Sequence, residues 1–363
     1  MVPGPYELTV SQGKIGNKIT YICGKNESHD CIINDSIDLI KIGPKRSFVS
    51  DGIFSISGIR ALIKIIKIEK KFDIIHGHGH LPFYYHIYRT FMKGKTPYVY
   101  HMHITSAGRK SMKNHYSLRT KIQGFFLWPI MILCEKIGCS VAEKIIAVSE
   151  SVKNEIIHYY SIDARKIEII ENGVSLKNYN LVIKTDTPQI MKNMNNHYLL
   201  YVGVLSRRKN ISNIIKTMNF LPDQFILTII GEGEERFELN NLIDKYNLNK
   251  RVHLLGEISY EKIHNYYLSS DAFILLSFYE GLPKVILEAL SAQLQIFTNK
   301  SFDISTTLGK YINWLDSDDP KFVAEYIENN CRKGKTTIPS DIINKISWDN
   351  KALEIQDIYN SIL

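Results

Sequence analysis

Glu280 and Glu288 bracket the tripeptide Gly281-Leu282-Pro283 and the four residues that follow it. The apolar run Ala272 to Leu276 just before them reads as a strand that ends in a short loop, with a helix beginning near Pro283. Proline suits a first helical position because its missing N–H would be unpaired there anyway. The free N–H groups of such a first turn bind anions. The two carboxylates beside it repel phosphate but accept hydrogen bonds from sugar hydroxyls. Taken alone, the pair favours a Glu280 that complements the helix dipole and a Glu288 that is merely solvated. A second group, Arg207-Arg208-Lys209, follows the apolar run Tyr198 to Gly203. Fixed cations there would stabilise a diphosphate that gains charge as a bond to it breaks. In isolation the same triplet reads as a solvated basic loop.

Histidines form the other chemical cluster. Asp73-Ile74-Ile75-His76-Gly77-His78-Gly79-His80 puts three histidines at period two, on one face of an extended chain. His101 and His103 end a second apolar run, Pro97 to His103. A metal is conceivable at such spacing, but Asp73 is the one nearby acid, so a structural strand end is the preferred reading. The cysteines are Cys23, Cys31, Cys134, Cys139 and Cys331. Their odd number and irregular spacing fit neither a disulfide framework nor a zinc pattern and favour a reducing compartment.

The elements that must position these groups alternate along the chain. Strands are expected at Lys18 to Cys23, Phe72 to His76, Pro97 to His101, Lys144 to Val148 and Ile167 to Ile170. Ile59 to Lys70 carries apolar residues at helical spacing. Residues 176–197 are polar and lack periodicity, so they read as a linker. Alternation restarts at Tyr198, with further strands at Phe225 to Ile230, Val252 to Leu255, Ala272 to Leu276 and Gln295 to Thr298. This predicts two α/β units with parallel sheets covered on both faces, and places the default ligand site in a cleft at the carboxyl ends of their strands. The 363 residues, 44% hydrophobic and 23% charged, have ordinary globular composition and exclude disordered or fibrous classes. Val2-Pro3-Gly4-Pro5 has the features of no secretory signal. The longest apolar run, Phe125 to Cys134, is about half the length of a membrane span and holds Pro129.

Several of these stretches together resemble the group 1 (family 4) retaining glycosyltransferases. The family line of Asp, strand, Ser, Glu-Gly and Glu-Ala is met by Asp271, Ala272 to Leu276, Ser277, Glu280-Gly281 and Glu288-Ala289. Val202 to Asn210 resembles the first strand and loop of the nucleotide-binding domain, Ile230-Gly231-Glu232-Gly233 its Gly-x-Gly turn, and Val252 to Gly256 the next strand. Glu171-Asn172-Gly173-Val174 matches the turn that closes the first domain, and Trp348 to Tyr359 the terminal helix that crosses back to it. The resemblance implies the GT-B fold: an N-terminal acceptor-side Rossmann-like domain over 1–178, a C-terminal nucleotide-sugar domain over 179–345, and the crossing helix over 346–363. It implies that Gly203, Arg208, Lys209, Gly281, Leu282 and Pro283 hold the donor. Glu288 would bind its ribose, Glu280 the sugar hydroxyls, and His103 would lie near the anomeric carbon, with His101 as the neighbouring decoy. The resemblance implies neither a divalent metal nor a cofactor, the nucleotide sugar being substrate. Three departures stand out. The usual Arg after Gly203 is Val204, so Arg208 is assigned in its place. Pro3-Gly4-Pro5 stands where members carry a glycine loop, which leaves Gly4 as the acceptor or phosphate loop residue, and the strand before that loop is missing. Gln293-Leu294-Gln295 replaces a Gly-x-Pro turn.

Charge is uneven. Residues 1–180 carry 25 basic and 15 acidic side chains, and residues 181–363 carry 20 and 22. No acid lies between Asp73 and Glu135, where Arg89, Lys93, Lys95, Arg109, Lys110, Lys113, Arg119 and Lys121 fall. This block, followed by the apolar and aromatic Phe125 to Met131, suits an anionic membrane surface, and equally an interior helix with a solvated basic lead-in. No nucleic-acid module is present. The expected activity is therefore a retaining hexosyltransferase. It would use a UDP- or GDP-type sugar and a glycan or lipid-linked acceptor, in the cytoplasm or on the inner face of the membrane. The alternatives are a sugar phosphorylase, a nucleotide-sugar epimerase, or a non-catalytic relative that binds a membrane or partner.

Overall fold

A computed structural model describes residues 4–24, 36–42, 56–79, 82–92, 96–179, 188–191, 193, 195–331 and 336–363. Cys31, His80, Lys93 and Lys95 fall outside them, as does the segment ahead of the first helix from which a strand was expected to be missing. The chain forms two compact units. The N-terminal unit comprises the described residues up to 111, with 119–173 and 348–363. The C-terminal unit comprises 112–118 and 174–347. The sequence placed the crossings at 178 and 345, and nothing in it marks 112–118.

The N-terminal unit contains α1 (Gly4–Lys14), β1 (Ile19–Gly24), β2 (Ile37–Ile42), α2 (Ile56–Ile68), β3 (Ile75–His78), α3 (Phe83–Met92), β4 (Tyr98–Met102), α4 (Ser106–Ser111), α5 (Leu118–Val141), β5 (Lys144–Ala147), α6 (Glu150–Tyr160) and β6 (Ile167–Ile169). Among the described residues β3-β4-β5-β6 form a parallel sheet in that order, while β1 and β2 pair in parallel as a separate sheet. β4 is buried along its whole length. The expected strand at Phe72 to His76 starts later, at Ile75, because Glu69–Lys71 form a 3-10 turn that the Phe72 N–H closes onto the Glu69 carbonyl at 3.1 Å. Pairing therefore runs through His76-Gly77-His78, and His78 stands opposite His101. β2 was not anticipated.

The C-terminal unit contains β7 (His197–Val202), α7 (Ile211–Met218), β8 (Phe225–Ile230), α8 (Arg236–Lys245), β9 (Val252–Gly256), α9 (Tyr260–Ser269), β10 (Ala272–Leu275), α10 (Lys284–Ser291), β11 (Gln295–Thr298), α11 (Thr306–Gly309), β12 (Ile312–Trp314), α12 (Pro320–Cys331) and α13 (Ser340–Lys345). Its parallel sheet has the order β12-β11-β10-β7-β8-β9. Every residue of β8, β10 and β11 is buried, as helices on both faces of a parallel sheet require. The chain winds outward from β7 through β8 and β9, then resumes on the other side of β7 with β10. Doubly wound sheets open a crevice at such a reversal, beyond the carboxyl ends of the strands. Residues 71 and 72 positions apart thus become neighbours: the loop after β7 carries Arg208 and Lys209, and the loop after β10 carries Glu280.

The last helix, α14 (Trp348–Asn360), belongs to the N-terminal unit. Buried Trp348 donates from Nε1 to Glu7 Oε2 at 2.9 Å. α1 begins at Gly4. Gly4 and Pro5 are thus the first turn of a helix, not a loop before it, and a Cβ on Gly4 would lie 3.2 Å from the Trp348 ring.

Two glycines hold the C-terminal crevice together. Gly231 has φ +137°, and a Cβ there would run into the carbonyl of Gly203. A Cβ on Gly233 would strike the carbonyl of Leu205. The loops after β7 and β8 touch backbone to backbone, with Gly203 N–H donating to Ile230 O and Leu205 N–H to Glu232 O, each at 2.9 Å. Gly231→Ala is expected to cost about 2–4 kcal/mol in urea unfolding. Gly309→Ala, whose Cβ would meet nothing nearer than 3.8 Å, should be close to neutral in the same assay.

Candidate active site

Residues Arg207–Lys209 form a 3-10 turn, ended by Asn210 in the left-handed region at φ 53°. That turn aims two of its cations at one carboxylate. Glu280 Oε1 lies 2.6 Å from Lys209 Nζ and 2.8 Å from Arg208 Nη1. All three side chains are largely buried. Arg208 also donates to the Tyr279 carbonyl. The Phe278 N–H donates to the Arg208 carbonyl at 2.9 Å, and the Glu280 N–H to the Ser301 carbonyl at 2.9 Å. Burial pushes the Glu280 carboxyl upward, but the Lys209 ammonium and the Arg208 guanidinium outweigh it and hold the group below the usual carboxylate range. Arg207 turns away toward Glu235 at 3.8 Å. Val204 is 60% exposed and offers no charge in place of the arginine it replaces.

Pro283 is the cap of α10, with extended φ −72° and ψ 119°, and the helix starts one residue later than a proline at its first position would. Gly281 and Leu282, in the loop ahead of it, are buried. Glu288 is not solvated: it is 1% exposed. Its Oε2 accepts from Tyr267 Oη at 2.8 Å, and its Oε1 lies 3.6 Å from Lys284 Nζ. Gly203 sits directly after β7, where a Cβ would be 2.9 Å from Tyr201 Oη. The structure therefore gathers Gly203, Arg208, Lys209 and the 280–283 loop around the β7–β10 reversal, with Glu288 beneath it on the buried side of α10.

In the N-terminal unit, His103 follows β4 and is half-buried. Its Nδ1 donates to Asn172 Oδ1 at 3.2 Å, which leaves Nε2 to accept from His78 Nδ1 at 3.2 Å. Burial lowers His103 to about 4, against the opposing Asn172 hydrogen bond. The imidazole is thus neutral near pH 7. Asn172 was read only as part of a domain-closing turn. Its partnership with His103 joins strand ends far apart in sequence, and no local pattern announces it.

His103 is one of four stacked rings. His101 lies 4.5 Å away, and His76 and His78 stack 4.4 Å apart on the adjacent strand. His101 is buried with neither ring nitrogen hydrogen-bonded, and His76 Nδ1 meets Tyr359 Oη at 2.6 Å. Among the described residues, the donor atoms of His76, His78 and His101 lie within 4.8 Å of one another, near enough to consider an ion. The rings of His76 and His101 are inclined by 11°. Nearly parallel rings point their lone pairs along parallel lines, so holding an ion there would require them to rotate.

Two family models cover most of the chain. Residues 8–178 match the one described as Glycosyltransferase Family 4, and residues 182–336 the one described as Glycosyl transferases group 1. An uncharacterised glycosyltransferase of Methanocaldococcus jannaschii is 24% identical over 336 residues, 86% of this chain and 81% of that protein. The UDP-Gal:alpha-D-GlcNAc-diphosphoundecaprenol alpha-1,3-galactosyltransferase of Escherichia coli is 26% identical over 333 residues, 84% of this chain and 80% of that one. Sucrose-phosphate synthase from Thermosynechococcus elongatus superposes with a TM-score of 0.80 at 17% identity, covering 98% of this chain and 91% of that chain. The fold is GT-B.

The histidine array makes the protein acid-sensitive. Burial first, then mutual repulsion, lowers His76 to about 3 and holds His78 and His101 well below 6.5. Each group is lower in the folded state than when unfolded, so its contribution is complete above pH 6.5 and is lost as pH falls toward the lowered values. Each ring that stays neutral removes about 1.4 kcal/mol per pH unit over that window. Thermal melts from about pH 7.5 to pH 5 should show Tm falling below pH 6.5, with a shallower fall in His101→Leu.

Proposed function

The chain belongs to the group 1 glycosyltransferases, and on that premise we propose that it moves a hexose from a nucleoside-diphosphate sugar to a lipid-linked glycan, with retention at the anomeric carbon. One observation carries the donor assignment: two buried cations and one carboxylate, Arg208, Lys209 and Glu280, meet where the strand order reverses. Once Glu280 lets go of them, the two cations match the two negative charges of a sugar nucleotide's diphosphate. Arg208 and Lys209 take the phosphates, aided by the peptide groups of the Gly281-Leu282-Pro283 loop. Glu280, released from the cations it holds, accepts hydroxyls of the sugar. Tyr267 and Lys284 fix Glu288, which accepts the ribose hydroxyls. In the N-terminal unit Asn172 orients neutral His103, whose Nε2 would exchange His78 for a hydroxyl of the transferred sugar, the part that the resemblance gives it.

In the reaction the bond from the anomeric carbon to the diphosphate oxygen breaks and a bond to the acceptor oxygen forms. The acceptor proton passes to the departing phosphate, so no enzymic base is invoked. The leaving group gains negative charge in this step. Cations already fixed by protein contacts stabilise it without reorganising. We propose that these cations serve in place of a divalent ion. The E. coli relative supports the acceptor class, since its name gives a diphosphoundecaprenol-linked sugar as acceptor. An acceptor of this kind would place the enzyme at the inner face of a membrane.

Calorimetry with UDP, GDP, ADP and CMP tests the donor site. One nucleotide should bind, and Lys209→Ala should weaken it by about 10- to 100-fold. Glu280→Gln should bind the nucleotide as well as or better than the parent, because the competing carboxylate is gone, yet transfer no sugar. Loss of nucleotide binding in Glu280→Gln with its fold intact, or no binding by the parent, would refute this arrangement.

A further inference from the structure

The outward face of α5 is apolar. Ile122, Phe125, Phe126 and Leu133 fall at helical spacing and are exposed, Phe125 by 74% and Phe126 by 67%. A surface helix of a globular protein normally turns such a stripe inward. The inward face of α5 is committed as well. Cys134, Ile130 and Met131 pack with Phe83 and Ile87 of α3, and α3 packs in turn on α2. Phe91 and Met92 at the end of α3 are exposed as well. Arg60, Lys64 and Lys67 on α2, Lys110 on α4 and Lys136 on α5 itself are exposed. Residues 74–134 contain no acid. Glu135, the next acid, is buried, accepting from the Ser106 N–H at 2.8 Å and Ser106 Oγ at 2.6 Å.

Resting on the lipid-linked acceptor reading, we propose that α5 lies flat in the headgroup region of an anionic bilayer. Phe125, Phe126 and Ile122 enter the acyl boundary, and the surrounding lysines meet lipid phosphates. Charge selects this occupant. A second copy of the chain would bring the same cationic rim against itself, whereas an anionic lipid surface neutralises it. The helix is about 36 Å long and apolar enough to cross a bilayer, but its own domain holds it. Glu135 also accepts from Tyr160, the Cys139 carbonyl accepts from Lys166 Nζ at 3.1 Å, and Gly138 lies so close to His86 that a Cβ would be 2.5 Å from the ring. Crossing the membrane would tear these contacts out and leave a carboxyl in hydrocarbon, so the lipid contact is along the helix.

Flotation of the full chain with phosphatidylcholine vesicles, with and without phosphatidylglycerol, tests the assignment. The parent should bind the anionic vesicles and be weakened by salt. Phe125→Ser/Phe126→Ser should bind at least about tenfold more weakly, and Lys121→Glu/Lys136→Glu should lose the preference for phosphatidylglycerol. Both variants should keep the calorimetric nucleotide affinity of the parent. Equal binding by the serine variant, no binding by the parent, or membrane association that survives alkaline carbonate overturns the proposal. Self-association without vesicle binding, abolished by the same serines, also overturns it. A chain that binds nucleotide but not vesicles defeats the docking face alone. One that binds vesicles but no nucleotide defeats the transferase reading and leaves the docking face supported.

Discussion

A carboxylate buried against two cations is the interaction around which the C-terminal half is organised. Removing three charges from water is costly, and mutual attraction offsets that cost only when the partners are held at short range. Glu280, Arg208 and Lys209 satisfy this at 2.6 and 2.8 Å, and the cluster keeps a net charge of plus one. Everything around it serves the placement. β7 and β10 must be neighbours for the two loops to meet. The turn 207–209 must present the Arg208 and Lys209 side chains and the Arg208 carbonyl together. The loop 277–283 must be pinned from both sides, by the Arg208 and Ser301 carbonyls. Gly231 and Gly233 must lack side chains so that the loops after β7 and β8 can touch.

How far this was readable depends on the range of the interaction. The pair Glu280 and Glu288, the strand before them and the basic turn are local patterns, and the structure brings them to one place. Their pairing partners are not local. Glu280 looked like a group facing a ligand and is held by cations from the β7 loop. Glu288 looked as though it could be solvated and is capped by Tyr267 from α9. Asn172 was part of a turn until His103 came within reach. The Gly231-x-Gly233 turn was legible as a motif, but its reason, contact between two backbones, needs the sheet order. Strand positions failed where local chemistry competes with hydropathy. A 3-10 turn at Glu69–Lys71 takes residues from the expected strand. The short β12 has an apolar run too brief to separate from a loop.

The two halves handle positive charge differently, and the difference follows from where acids are allowed. In the C-terminal half the site cations face acids of their own domain: Arg208 and Lys209 face Glu280, and Lys284 faces Glu288. Such pairing keeps the cations oriented and makes a phosphate compete for them, which favours a ligand with several charges over a single anion. In the N-terminal half, residues 74–134 supply no acid at all. Arg89 there is buried, and its guanidinium is answered from outside the stretch by Glu143 at 2.8 Å. The lysines at the surface have no acid on their own stretch of chain to orient them. A diffuse cationic surface of that kind is poor at choosing one small molecule and effective at recognising an extended anionic one. On the two proposals, the uneven charge along the sequence would separate two tasks, capture of a diphosphate in one domain and adhesion to a charged surface in the other. The exposed aromatic pair Phe125 and Phe126 is why the proposal takes a lipid surface as the occupant, because a polyanion in water gives those rings nothing to enter.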